Sequence, residues 1–134
     1  MKFTTTLRYI WAFPNTVIGL LLLVPALVSG GRVRRVHGVL EITGRVAAWV
    51  LQHIPFSGQI TALTLGHVVL GSDEETLAWW RSHELIHVRQ YERWGPFFIP
   101  AYLFSSFAAR LQGKNSYLNN RFEAEAFFHQ QKVT

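Results

Sequence analysis

The stretch Trp79–Gly95, "WWRSHELIHVRQYERWG", decides how this chain folds and what it can bind. It holds His83, Glu84 and His87 in an H-E-x-x-H spacing. In an α-helix, residues four apart stand one above the other, so both imidazoles project from one face. Glu84 then lies about 100° further round, beside anything gripped by the two rings and not on it. Thr76, Trp80, Tyr91 and Trp94 fall near the histidine direction, while Arg81, Arg89 and Glu92 point away, so the histidine face is expected to be buried. Two adjacent buried imidazoles are hard to satisfy without a ligand, and a divalent cation resolves the difficulty. Zinc suits two histidines and a carboxylate with a fourth position open to water, from which Glu84 would take a proton. The plain alternative is two hydrogen-bonded histidines that happen to sit one turn apart.

Ser72, with Glu75 three residues on, reads as a capping box that starts this helix, and Gly95 followed by Pro96 as its end. A further helix is expected over roughly Phe97 to Leu111, then a loop "GKNSYLNN", then a last helix "RFEAEAFFHQQK" capped by Asn119 or Asn120. A site of this kind needs a third ligand from another element. The last helix offers Glu123 and Glu125, 36 and 38 residues after His87. They point about 200° apart, so only one can face a metal. Glu123 is alternatively a capping-box glutamate behind Asn120, and Glu125 a solvated acid. Geometry alone leaves the choice between them open.

On the amino side, "QITALTLGHVVLG" is β-rich, with Ile60, Ala62, Thr64, Val68 and Leu70 at even spacing between Gly58 and Gly71. "RVAAWVLQHI" predicts a short helix stopped near Pro55. "VRRVHGVLEITG" predicts a strand or hairpin with Val36, Leu40 and Ile42 on one side. Before these, Tyr9–Val28 is an apolar stretch near the ~20 residues that cross a bilayer, with Pro14 and Pro25 expected to bend or interrupt it. It reads first as a spanning or deeply inserted helix. A signal peptide started by Lys2 and Arg8, and a helix buried in a soluble core or oligomer, are the alternatives. Arg32, Arg34, Arg35 and Arg45 after the stretch outnumber Lys2 and Arg8 before it, which favours a cytoplasmic carboxyl portion. Gly95–Leu111 is short for a span and holds two prolines, so it reads as a core or interfacial helix.

At 134 residues the chain is expected to be one folding unit: a membrane-associated segment over residues 1–31 and an α+β domain over residues 32–134. Aromatic content of 14 % against charged content of 16 % implies a protein that leans on a membrane or a partner, an oligomer included. The net charge of +5 is spread along the chain and not gathered in one run, which argues against nucleic acid. Without cysteine there are neither disulfides nor thiolate zinc sites.

Taken in order, "ITALTLGHVVLG", "HELIHVRQYERWG" and "NRFEAEAF" resemble the compact gluzincin metallopeptidases, namely the minigluzincins and the injection-system core domain. These have an edge strand, an H-E-x-x-H helix and an N-x-x-E-x-E-A helix. The last two elements are also similar to those of membrane CaaX-type proteases, and the whole to small bacterial membrane proteins. The resemblance covers roughly Ile60 to Phe128. It implies a small sheet packed on a zincin-like helical core, one Zn²⁺ held by His83, His87 and Glu123, and Glu84 as general base. It also implies a cleft along "TLGHVVL" that takes a peptide by its backbone. Gln90 and Glu125 are then candidates to support the ligands from behind, and His67, Tyr117 and His129 to stabilise an oxyanion. His37 and His53 look structural or exposed. Phe127 stands where many gluzincins place an aspartate that orients a histidine.

The expected function is zinc-dependent peptide hydrolysis at the inner membrane of a bacterium, with the catalytic part cytoplasmic and residues 9–28 in contact with lipid. One alternative is a non-catalytic membrane scaffold or binding protein clamped by zinc. Another is a metal-free membrane protein held together by aromatic packing.

Overall fold

The computed structural model describes residues 3–54 and 60–133; the expected stop near Pro55, the Gly58 boundary and Lys2 lie outside the described residues. Within them the chain is α+β. Helices α1 (Phe3–Leu20) and α2 (Leu23–Val28) come first. Strands β1 (Arg32–Val36) and β2 (Val39–Thr43), helix α3 (Arg45–Gln52), and strands β3 (Ala62–Leu65) and β4 (Val68–Gly71) follow. Helices α4 (Glu74–Trp94), α5 (Phe98–Leu111) and α6 (Arg121–Val133) complete it.

Both β segments fold as hairpins. His37 and Gly38 take φ of 52° and 77°, the two left-handed positions that a type I′ turn requires. Val36 therefore pairs with Val39, and Arg35 with Leu40. This corrects the expectation that Val36, Leu40 and Ile42 share a side: a two-residue turn pairs an even position with an odd one and moves Val36 to the opposite face. Gly66, at φ 63°, starts the second turn and splits the other β-rich run into two strands, with Thr64 opposite Val69. The sheet order is β1-β2-β4-β3, with β2 and β4 parallel in the centre.

One face of the sheet buries Ile42, Val68 and Leu70 against Ala26 of α2 and Ala47 and Leu51 of α3. Each large side chain so buried contributes about 1.5–3 kcal/mol. The other face sets Val39 and Val69 against Leu77 and Val88 of α4. Glu41 of β2 receives two hydrogen bonds from Arg81, at 2.8 and 2.9 Å, and pins α4 to the sheet. Helix α4 is thus covered on several sides. Arg81 and Glu92, expected to point away from the histidine face, have partners of their own: Arg81 bonds to Glu41 of β2, and Glu92 to His67 in the β3–β4 turn.

Asp73, not Ser72, caps α4: its carboxylate accepts the Thr76 amide at 2.7 Å, and this bond holds its pKa below the usual aspartate value. Gly95 ends the helix at φ 57°, yet the chain continues through a 3₁₀ turn over Gly95–Phe97 directly into α5. Asn120 caps α6 by accepting the Phe122 amide at 2.9 Å, while its own amide group donates to the Tyr102 carbonyl and to Ser106 Oγ.

The apolar stretch over Thr4–Val28 is long and apolar enough to cross a membrane, by length and composition. Pro14 remains inside α1, and the break falls at Leu21–Leu22. A proline at position 25 clashes with the carbonyl four residues earlier, which explains why the break lies there. Along its inner side α1 is bonded to the rest of the fold. Trp11 Nε1 donates to the Arg93 carbonyl, Asn15 Nδ2 to the Gly95 carbonyl, and the His67 amide to Thr16 Oγ1. Ala12 packs into a cluster with Tyr91, Phe98 and Phe122. The outer side leaves Ile10, Phe13, Leu21 and Val24 exposed.

Candidate metal centre

Helices α4 and α6 lie side by side, and their contact brings three side chains to one point. His83 Nε2 and His87 Nε2 each stand 3.0 Å from Glu123 Oε1 and 3.2 Å from each other. All three residues are buried. They form a donor group able to hold a metal ion. Helical spacing aligns the two histidines, and the Asn120 cap starts α6 so that Glu123 faces inward in its first turn. Glu123 is therefore not a capping-box residue; its carboxylate is spent on the histidines and on Tyr102.

The outer ring nitrogens fix which inner atoms carry protons. His87 Nδ1 lies 2.8 Å from Gln90 Oε1. Gln90 Nε2 donates to the Phe122 carbonyl and to Glu125 Oε1, so the amide oxygen must face the ring and Nδ1 must be the donor. His83 Nδ1 is likewise 3.0 Å from Gln130 Oε1. Both imidazoles then aim Nε2 lone pairs at the same carboxylate oxygen. Three electron-rich atoms in one buried space call for a positive charge between them, either a proton or a cation. Burial pushes the His87 imidazole down, but the bond and charge of Glu123, with the charge of Glu84, overcome it and hold His87 up at about 9. Burial pushes the Glu123 carboxyl up, but its short contacts with the His83 ring and the protonated His87 ring, and the hydrogen bond from Tyr102, hold it far below the usual range. The residues present fit a divalent cation: two neutral imidazoles, one carboxylate, and an acceptor behind each ring.

Glu84 lies beside this group and lines the same cleft as His87 and Glu123. Its Oε2 accepts the Thr64 hydroxyl at 2.6 Å, and Tyr91 holds the Thr64 carbonyl at 2.9 Å. The cleft has a volume of about 260 Å³ and is walled mostly by apolar side chains, among them Ile60, Leu63, Phe98 and Leu103. Of the strand expected to line it, β3 does so; β4 is interior to the sheet.

Tyr117 also lines the cleft, and burial together with the Glu123 and Glu84 carboxylates pushes its phenol far up. His67 lies elsewhere. It is buried in the β3–β4 turn, stacked on Tyr9 at 3.9 Å and bonded to Glu92 at 2.8 Å, which removes it as an oxyanion donor. The turn that splits the β-rich run carries it away from the cleft. His129 is exposed on the far side of α6, beside Arg89 and Arg93, because two helical turns minus one residue rotate it off the Glu123 face. Gln90 and Glu125 do stand behind the site: Glu125 accepts from Gln90 at 2.8 Å and from Arg93 at 2.6 Å. The Phe127 ring packs against His83 with centroids 4.5 Å apart, and the acceptor that an aspartate would supply comes from Gln130 instead.

Thr64, Tyr102 and Gln130 were not legible as site residues. Gln130 carried one usable signal, its seven-residue distance from Glu123, which puts both on one face of α6. No protein-family model matches this chain, and no curated protein or solved structure matches it.

Proposed function

We propose that this protein is a membrane-associated zinc metallopeptidase with a compact, gluzincin-like core. The observation that carries the proposal is the convergence of His83, His87 and Glu123 with both outer ring nitrogens tied to amide oxygens. His83, His87 and Glu123 would hold the ion. Zinc in such a donor set supplies Lewis acidity, acidifying water and polarising a carbonyl.

The chain's own groups account for the rest. An extended peptide adds to the free edge of β3, which among the described residues pairs only with β4. The Thr64 hydroxyl orients the Glu84 carboxylate toward the cleft. Glu84 takes a proton from the attacking water as its oxygen bonds to the scissile carbonyl carbon. It then delivers that proton to the departing nitrogen as the C–N bond breaks. Tyr117, which lines the cleft and is kept protonated, donates to the carbonyl oxygen as negative charge develops there. The outward side of α1 and α2 contacts lipid, and the arginines that follow favour a cytoplasmic active site on the inner membrane of a bacterium.

A second proposal, a zinc-clamped scaffold without catalysis, is favoured by one observation: neutral amides and Phe127 surround the histidines where a charged acceptor would raise ligand basicity. Wild type and Glu84→Gln, both loaded with zinc, separate the two on a broad peptide library. Cleavage by wild type alone supports the peptidase; identical inert behaviour with zinc retained supports the scaffold.

A further inference from the structure

We propose that Tyr102 keeps Glu123 a one-oxygen ligand, by donating its phenolic hydrogen to the carboxylate oxygen that the histidines do not use. This rests on the metal centre proposed above and adds a positioning residue from α5, which belongs to none of the sequence motifs.

Glu123 divides its two oxygens between different partners. Oε1 is 3.0 Å from both imidazoles, while Oε2 receives the Tyr102 hydroxyl at 2.6 Å. An O–H···O⁻ contact of that length is a strong, charge-assisted bond. Carboxylates bind cations through one oxygen or through both, and turning Glu123 to use both would require breaking that bond. The difference matters because a hydrolytic zinc site keeps three protein ligands and leaves a position for water or substrate. A chelating Glu123 would add a fifth donor beside that position and crowd it.

The donor is dependable. A carboxylate only accepts, so across the 2.6 Å contact the phenol supplies the hydrogen. Its backbone is held by Asn120, whose amide donates to the Tyr102 carbonyl at 2.9 Å. Asn120 is also the cap of the helix that carries Glu123. One residue therefore fixes the hydroxyl donor and the carboxylate acceptor relative to each other. The Tyr102 ring adds a stacked contact with Phe122, centroids 6.3 Å apart, on the same helix.

The test uses Co²⁺ in place of zinc in the full chain, because visible absorption by cobalt is intense with four ligands and weak with five. Tyr102→Phe removes one oxygen from a half-buried ring and keeps its shape. Ser106→Ala is the control, since it removes another partner of Asn120 and leaves the phenol in place. Near-ultraviolet circular dichroism checks that each variant is folded. Wild type and Ser106→Ala are expected to give the intense spectrum. Tyr102→Phe is expected to lose most of that intensity and to bind zinc about 10–100-fold more weakly in competition with a chelator. A Tyr102→Phe spectrum and affinity equal to wild type overturns the proposal. So does an equal loss in Ser106→Ala, which would show a packing effect. Wild type that takes up no cobalt overturns this role and the metal centre together. A cobalt-loaded wild type that cleaves no peptide overturns the peptidase alone and leaves the Tyr102 result readable.

Discussion

Stripping the metal should leave a protein whose stability falls as pH rises through the neutral range. In the apo form the positive charge between His83, His87 and Glu123 is a proton, held on His87 up to a pH of about 9 against an ordinary value of 6.5. A group with a raised folded pKa stabilises the fold fully below its unfolded pKa and loses that contribution as pH climbs through the folded one. The rise from 6.5 to about 9 corresponds to about 3 kcal/mol, most of it lost between those two values. Glu123 adds no slope here, because its lowered pKa places its own titration far into acid. For a chain of this size about 3 kcal/mol moves Tm by roughly 10 °C. Thermal melts of chelator-treated protein from pH 6.5 to 9.5 should show that decline. Zinc-loaded protein should show none, since metal replaces the proton and binds better as the imidazole is freed. His87→Gln should flatten the apo curve. An apo Tm that stays level or rises between pH 6.5 and 9 in wild type would refute the reasoning.

Further outcomes follow from the packing. Gln90→Leu removes the acceptor behind His87 and the donor to the buried Phe122 carbonyl. Zinc affinity should drop about 10–100-fold and stability by about 1–3 kcal/mol, read by chelator competition and by denaturant melts. Asp73→Ala should lower Tm and Ser72→Ala should leave it unchanged, because only Asp73 accepts the Thr76 amide. Replacing Ile10, Phe13, Leu21 and Val24 together by serine should abolish co-sedimentation with liposomes while the zinc content holds, since these four side chains are 55–71 % exposed on the outer side. In contrast, Ala12→Leu should cost about 1–3 kcal/mol by overpacking a fully buried position.

The parts of the structure that were legible in sequence are those set by local periodicity and capping chemistry. The i, i+4 spacing of His83 and His87 aligns them whatever else the chain does, and Asn120 caps α6 by its own side chain. Neighbouring residues of equal aptitude were not separable. Serine and aspartate are equally apt as caps, and the bond formed by Asp73 depends on how β4 hands the chain over to α4. Hairpin register hid for a related reason: the His37–Gly38 turn fixes that Val36 meets Val39, and an alternating pattern alone does not show where the chain reverses. Tyr102 and Gln130 were invisible because nothing in an apolar helix or a polar tail marks which hydroxyl or amide will meet a carboxylate or an imidazole from another helix. His67 misled in the opposite direction, being near the cleft strand in sequence but buried against Tyr9 in space.

Convergence of two imidazoles and one carboxylate on a single cation is tested most directly by X-ray absorption at the zinc edge of the purified protein. The expected spectrum shows one zinc per chain with two imidazole nitrogens and a carboxylate oxygen in the inner sphere, the carboxylate contribution lost in Glu123→Ala. Protein purified without chelators that binds no zinc, or a zinc sphere unchanged by Glu123→Ala, would contradict it.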